Sequence, residues 1–375
     1  MDIGHLQKLT FECDCYGKTD PYSRKIMNCF EQKIYYVLRN DEGYHAIDIP
    51  FLFIDRLDAF LVEYVPHLPG KLYLNSHPYD YFLLNTIEVS GNLYKAQEAI
   101  SEMLSNNKMP IVQTFIERLP HLNYYNPSFS FQNHTKTHKF LIVGEDVENY
   151  YCVEERFVLQ HNGLYLPCKW HPGIGKISKE LCSEAFSTYI QLTDVSLGFN
   201  ATNAQDIIHN RFRKVSEATC NAYYESGKFT DKNGFSTFTG KEVFNWLIYS
   251  ANNNLALTEM AVLWKNANLI ISSNTAIDEI LLVGFEVIIA KHRLFLDYVC
   301  KFIGSDQLCI LLSKIIKNMC IIKNMIAKKR LKSQIEKCLF YFDASFLPYL
   351  HELVELMDQF IFCLNHSNNE QCSPN

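Results

Sequence analysis

Three residues of this chain have the types and the order that nucleophilic catalysis by a thiol requires. Cys29 lies near the predicted start of a helix, His138 opens a predicted strand, and Glu154 closes the next one. A thiol, an imidazole that removes its proton and a carboxylate that orients the imidazole form a nucleophilic triad. Each residue type is common in ordinary cores and surfaces, so the prediction depends on the elements that would bring the three together.

The segment from Asn133 to Leu159 predicts a β-hairpin that would position two of these residues. An apolar run is followed by a polar turn and then by aromatic and β-branched residues, which favour a second strand. His138 and Glu154 stand at the two open ends of this hairpin. We therefore expect an imidazole and a carboxylate to meet at one end of a sheet.

Cys29 lies near a helix start in both interpretations of its segment. The helix begins either at Pro21 or after an Asn28 cap. The dipole and the free N–H groups at such a position favour the thiolate. Cys13 and Cys15 are rival nucleophiles, but no helix start follows them closely.

The long polar and aromatic loop before the hairpin offers a rival base and candidate substrate contacts. His134 lies four residues before His138. We favour His138 as the base, because a side chain next to a strand is held more rigidly, and we assign His134 to substrate contact. Tyr124, Tyr125 and His121 are candidates for lining an acceptor pocket, although ordinary loop packing would also explain them.

The composition predicts a globular protein with a large core. The chain has 375 residues, of which 48% are hydrophobic and 20% are charged, and its formal net charge is −6. Such proportions are typical of folded domains rather than of disordered segments. The negative net charge argues against a nucleic-acid-binding protein, because phosphate contacts usually require a basic surface.

The targeting and cysteine patterns predict a cytoplasmic protein without a metal site. Neither a signal peptide nor an apolar stretch long enough to span a membrane is visible, so no membrane partner is expected. The 13 cysteines are irregularly spaced. Cys13 and Cys15 stand two residues apart, and no second Cys/His pair stands at the distance along the chain that a zinc site requires. Most of the thiols are therefore expected to be reduced and buried.

The hydrophobic periodicity predicts an α+β fold in two parts. Strands such as 109–116 and helices such as 92–106 are mixed in the first part. The second part has an almost continuous helical period, with predicted helices at 203–225, 240–253, 255–272, 275–303, 306–329, 331–341 and 345–366. The predicted organisation is a mixed domain at 1–195, an all-α helical domain at 196–367 and a disordered tail at 368–375.

The joint order of several motifs over roughly residues 20–195 resembles a known family. The matching residues are Cys29, Leu119-Pro120, His134, His138, Gly144, Asp146 and Glu154. Their order and spacing are similar to those of the butirosin biosynthesis protein H N-terminal domain family. These papain-like proteins of antibiotic and peptide natural-product pathways are related to C39-type cysteine peptidases. The sequence departs from the family pattern in having Glu145 for the usual Tyr, Glu154 for the commoner Asp, and Ser23 where papain-like peptidases often have Gln.

The resemblance implies a papain-like cysteine acyltransferase followed by a helical domain. Cys29 would accept an acyl group from the phosphopantetheine thioester of an acyl or peptidyl carrier protein and pass it to a small-molecule amine, forming an amide. His138 would be the base and Glu154 its orienting acid. The backbone N–H of Cys29 would supply one oxyanion-hole donor, and the second donor stays unassigned. No cofactor of the enzyme itself is implied, and the acyl group, the amine and the oligomeric state are not indicated.

Two other functions fit the same residues. A cysteine peptidase or amidase would use the same acyl-enzyme but would release it to water. A binding module that retains a papain-like fold without catalysis would leave Cys29 no more reactive than the other cysteines.

Overall fold

The computed structural model of the protein describes most of the chain. The described residues are 3–9, 29–41, 49–54, 57, 59–65, 68–74, 82–89, 91–122, 137–154, 166–171, 173–198, 204–230, 236–253, 255–257, 277–338 and 340–370.

The described residues form both α-helices and β-strands. The helices are α1 (Ile3–Lys8), α2 (Cys29–Arg39), α3 (Leu93–Ser105), α4 (Lys179–Thr188), α5 (Ala204–Tyr224), α6 (Lys241–Asn252), α7 (Ile277–Tyr298), α8 (Asp306–Glu336) and α9 (Leu347–Glu370). The strands are β1 (Ala59–Val65), β2 (Leu68–Leu74), β3 (Phe82–Glu88), β4 (Ile111–Phe115), β5 (Thr137–Glu145), β6 (Asn149–Val153), β7 (Leu166–Pro167), β8 (Gly175–Ser178), β9 (Gln191–Leu197), β10 (Gly227–Thr230), β11 (Ser236–Thr239), β12 (Leu255–Leu257) and β13 (Phe340–Phe342).

The chain divides into two compact units, each made of two stretches of sequence. The first unit contains Met1–Pro50 and Tyr79–Gln205, and the second contains Phe51–Pro78 and Asp206–Asn375. This division differs from the single predicted boundary after residue 195. The physical reason is strand pairing: β1 pairs with β2 and with the distant β11, so this early stretch belongs to the second unit.

The first unit is built around a seven-stranded antiparallel sheet with the strand order β3-β9-β4-β5-β6-β8-β7. The strand predicted at 109–116 is present as β4, and the predicted hairpin is present as β5 and β6. Helices and antiparallel strands are mixed in the unit, which confirms the predicted α+β class.

The main core of this unit lies on one face of the sheet, beneath α3 and α4. Asn92 caps α3 by accepting a hydrogen bond from the Lys95 N–H group at 3.1 Å, and Ser178 caps α4 in the same way from Glu180 at 3.2 Å. Fully buried side chains from the sheet and both helices pack together, among them Ile100, Val112, Phe140, Ile142, Tyr150, Cys152, Ile177, Cys182, Phe186 and Leu192.

The helix that begins at Cys29, α2, lies on the opposite face of the sheet and contacts β5 and β9. Successive side chains of a strand point to opposite faces. The Lys139 ammonium lies 3.5 Å from the centroid of the Phe30 ring on α2, whereas Phe140 belongs to the core beneath α4. Because Phe140 and His138 are two residues apart on β5, His138 shares the face of Phe140.

The second unit contains strands as well as helices, which corrects the prediction of an all-α domain. It has a four-stranded antiparallel sheet with the order β10-β11-β1-β2 and a two-strand ribbon of β12 and β13. β10 and β11 have four residues each and lie between the predicted helices 203–225 and 240–253, in a stretch for which the periodicity predicts no helix. The start of the helix predicted at 255–272 is the strand β12, and residues 258–276 lie outside the described residues.

The helices α7, α8 and α9 pack against one another in this unit. Aromatic rings fill part of its interior, with the Phe212 and Tyr298 rings stacked at a centroid distance of 4.2 Å. Cys300 and Cys309 are paired as a disulfide with their Cα atoms 6.2 Å apart, which departs from the expectation of reduced thiols for these two residues.

The C-terminal helix is longer than predicted. α9 continues to Glu370, so residues 368–370, which were expected in a disordered tail, are helical. Residues 371–375 lie outside the described residues. Among the helices described, none combines the length and the apolar character that crossing a membrane requires.

Candidate functional site

A buried cluster of one carboxylate and two imidazoles lies at the open end of the hairpin. Glu154 Oε2 is 2.8 Å from His138 Nε2, and Glu154 Oε1 is 3.2 Å from His121 Nε2. The exposed fractions are 2% for Glu154, 6% for His138 and 0% for His121. Because a carboxylate only accepts, each imidazole donates its Nε2–H group to one oxygen. We name this arrangement the His–Glu–His cluster.

The hairpin brings His138 and Glu154 together as the sequence predicted. His138 is the second residue of β5, and Glu154 follows β6 directly. Leu141 lies opposite Val153 in the antiparallel ladder, so the chain leaving β6 runs alongside the beginning of β5. The expected contact between the imidazole and the carboxylate is therefore present, while their catalytic roles stay a prediction.

His121 reaches the same carboxylate from the chain that leaves β4. Thr114 on β4 lies opposite His138, so β4 ends at the end of the sheet where β5 begins. A short 3-10 helix, Ile116–Arg118, then turns the chain, and His121 follows it. The Thr114 hydroxyl donates a hydrogen bond of 2.6 Å to the Tyr189 carbonyl, which connects the end of β4 to the end of α4.

The sequence offers His121 as a candidate for lining an acceptor pocket, which stays a prediction, and the structure adds a contact of its Nε2 atom with Glu154. The signal that could have found this contact is topological: if β4 pairs with β5 in antiparallel fashion, residues just after β4 pass close to the first residues of β5. Only the pairing of the two strands makes that argument possible.

The His138 ring is held by aromatic packing as well as by the carboxylate. It stacks on the Phe140 ring at a centroid distance of 6.1 Å, and Phe140 stacks on Phe186 of α4 at 6.4 Å. Nε2 is engaged by Glu154, and no hydrogen bond to Nδ1 is found within the described part of the chain. The geometry therefore presents Nδ1 as the nitrogen that can exchange a proton with a reacting group.

The electrostatics of the cluster keep Glu154 ionised. Burial by itself raises the pKa of this carboxyl, but the charge of His138 and the hydrogen bonds from both imidazoles outweigh burial and hold its pKa well below the usual range. An ionised carboxylate next to His138 fixes the tautomer of the ring and stabilises an imidazolium. The cluster can therefore act as the base and orienting acid of a triad.

Two buried cysteines close to Glu154 are poor candidates for the nucleophile. Burial, followed by the charge of Glu154, raises the pKa of Cys182 to about 12. Burial also raises the pKa of Cys152 well above its ordinary value, with further contributions from Cys182 and Glu154. Both thiols stay protonated near neutral pH and behave as small hydrophobic side chains of the core.

Cys29 is the first residue of α2, as the sequence predicted for a helix start, but its side chain lies outside the described residues. Six further residues singled out in the sequence lie entirely outside the described residues: Tyr124, Tyr125, His134, Ser23 and the rival nucleophiles Cys13 and Cys15. Their predicted roles stay predictions.

Asp146, one of the residues that carries the family resemblance, has a structural role in the hairpin turn. Its carboxylate accepts hydrogen bonds from the backbone N–H groups of Glu148 at 2.9 Å and Asn149 at 2.7 Å, and from the Tyr151 hydroxyl at 2.8 Å. Glu145, which departs from the family pattern, pairs with the Lys179 ammonium at 2.8 Å. These contacts fix the turn, and hence the pairing of the two strands that carry His138 and Glu154.

The described residues contain no group of three or more His, Cys, Asp or Glu side chains arranged to hold a metal ion. In the His–Glu–His cluster, both carboxylate oxygens are already engaged by imidazole N–H groups. The arrangement is a hydrogen-bonded group of one carboxylate and two imidazoles.

Neither a protein-family model nor a curated protein sequence matches the chain.

Proposed function

We propose that this protein is a papain-like cysteine acyltransferase that forms amide bonds. The observation that carries the proposal is the buried contact of 2.8 Å between His138 Nε2 and Glu154 Oε2, which leaves Nδ1 of His138 available for a thiol. A buried and ionised acid behind an imidazole is the arrangement that cysteine nucleophiles use for activation.

The proposed reaction has two half-reactions. The Cys29 thiol transfers its proton to Nδ1 of His138, and the sulfur attacks the carbonyl carbon of an acyl thioester. The tetrahedral intermediate expels the thiol of a phosphopantetheine arm, which takes the proton back from His138. A small-molecule amine then attacks the Cys29 thioester, His138 removes a proton from the amine, and this proton returns to the Cys29 sulfur as the amide forms.

The position of α2 supports Cys29 as the nucleophile. The residue after Cys29, Phe30, contacts the residue after His138, Lys139, through the ring and ammonium described above. His138 lies on the face of the sheet opposite to Lys139, so in this proposal the thiol meets the imidazole around the end of β5. His138 is the second residue of that strand and therefore lies close to this end.

The proposed donor is an acyl or peptidyl carrier protein of a natural-product pathway, and the proposed acceptor is a small-molecule amine in the cytoplasm. Exchange of one thioester for another is nearly balanced in energy, which suits a cysteine nucleophile. The backbone N–H group of Cys29 is one oxyanion-hole donor in this proposal, and the second is unassigned.

The proposal is tested by measuring the intact mass of the protein after incubation with an acyl-loaded carrier protein. We expect an acyl adduct on Cys29 that disappears when an amine is added, with an amide as the product. Cys29→Ala should abolish the adduct, and Cys338→Ala should not, because it removes an exposed thiol in the second unit. An adduct that persists in Cys29→Ala would reject Cys29 as the nucleophile.

The same assay separates the transferase from its rivals. A cysteine peptidase or amidase would release the free acid at an equal rate with or without the amine. A binding module would show no adduct, and Cys29 would react with iodoacetamide no faster than the other accessible cysteines.

A further inference from the structure

We infer that His121 is a positioning residue, whose Nε2–H group holds the Glu154 carboxylate in the orientation in which Oε2 faces His138. The inference rests on the proposed function for its catalytic consequence. Its structural basis, the His–Glu–His cluster, does not depend on Cys29.

The geometry gives Glu154 one donor on each oxygen. His138 Nε2 is 2.8 Å from Oε2, and His121 Nε2 is 3.2 Å from Oε1. With a single donor, a glutamate side chain can rotate about its terminal bonds and still keep that contact. Donors on both oxygens fix the plane of the carboxylate, and this plane sets the orientation of the His138 ring.

The contact of His121 differs from the contacts of another buried histidine in the first unit, His171. The His171 ring is also buried, but its Nε2 donates to the Leu9 carbonyl at 2.7 Å and its Nδ1 accepts from the Gly173 N–H group at 3.0 Å. These are backbone contacts that stabilise a loop. The Nε2–H group of His121 instead meets the carboxylate that faces the candidate base.

The ionisable groups close to Glu154 are few among the described residues. They are His121 after β4, His138 on β5, Cys152 on β6 and Cys182 on α4. Both thiols stay protonated near neutral pH, so the two imidazoles are the groups that stabilise the buried charge. Removal of either donor should make Glu154 easier to protonate.

The test uses two substitutions that separate the Nε2–H group from the volume of the ring. The amide nitrogen of His121→Gln can take the place of Nε2, whereas the amide of His121→Asn is one bond shorter and takes the place of Nδ1. Each variant is measured in two ways: by the pH dependence of Cys29 alkylation by iodoacetamide, and by the titration of the Glu154 carboxyl carbon in NMR spectra of protein with ¹³C-labelled glutamate. The Glu154→Gln variant assigns the carboxyl signal, and His171→Gln is the control for loss of a buried imidazole elsewhere.

We expect His121→Gln to keep the titration of Glu154 and a Cys29 alkylation rate within about threefold of the wild-type rate, and His121→Asn to lower that rate roughly tenfold or more at pH 6. In His121→Asn, the Glu154 titration and the acid limb of the alkylation profile should both move to higher pH. Equal effects of Gln and Asn would reduce His121 to a packing residue and overturn the inference, as would no effect of either. If Cys29 is unreactive in the wild type, the proposed function fails, and the titration of Glu154 alone decides the role of His121.

Discussion

Replacing Glu154 by Gln tests whether the buried carboxylate stabilises the first unit through both imidazoles. The glutamine carbonyl can accept from one Nε2–H group, but its NH₂ group then faces the Nε2–H group of the other imidazole. One charge-assisted hydrogen bond is lost, which costs about 1.5–3 kcal/mol, and the donor left unsatisfied costs about 1–3 kcal/mol more. We therefore expect the free energy of unfolding to fall by roughly 3 kcal/mol or more near pH 7.

The loss of stability in Glu154→Gln should depend on pH in a definite direction. The pKa of Glu154 is lowered in the folded protein, so its charge stabilises the fold fully above the pKa of an unfolded glutamate, about 4.3. This stabilisation is lost as the pH falls from about 5 toward the lower folded value. The difference between the wild type and Glu154→Gln should accordingly shrink as the pH falls below about 5.

Native-state hydrogen exchange of the β5 and β6 amides measures this free energy in the unit that contains Glu154. Glu148→Gln is the matched control: this exposed glutamate of the same hairpin should change the stability by no more than about 0.5 kcal/mol. A Glu154→Gln variant as stable as the control near pH 7 would show that the carboxylate contributes no net stabilisation and would refute the reasoning.

Three further predictions concern the reach of His138, a buried lysine and the core. If Cys29 and His138 form a pair, 1,3-dibromoacetone should cross-link these two residues, as peptide mapping would show. A cross-link between Cys29 and His121 would instead assign the role of base to His121. The Lys33 side chain on α2 is fully buried, and its ammonium has no hydrogen-bond partner among the described residues. Lys33→Met should therefore raise the free energy of unfolding by about 1 kcal/mol or more in urea titrations, and a loss of stability would contradict this. Phe186→Ala should lower it by about 3–5 kcal/mol, because the ring is fully buried beside Phe140; a loss below about 1 kcal/mol would contradict the described packing.

The sequence by itself determined the local elements around the candidate site. The apolar run before the turn at Gly144 and the aromatic and β-branched residues after it predicted the hairpin, because such residues favour strands and a polar turn joins them. The positions of His138 and Glu154 at its open ends followed from antiparallel pairing alone. The start of α2 near Cys29 was also predictable, because a cap and helix-spaced apolar residues are local signals.

The tertiary structure decided what depends on contacts between distant segments. The third member of the buried cluster, His121, meets Glu154 only because β4 pairs with β5, and no local pattern specifies which strands pair. The membership of β1 and β2 in the second unit is decided in the same way, because β1 pairs with β11 across more than a hundred residues and β2 pairs with β1. The short strands there lack a periodicity of their own, and their conformation comes from the sheet that they join.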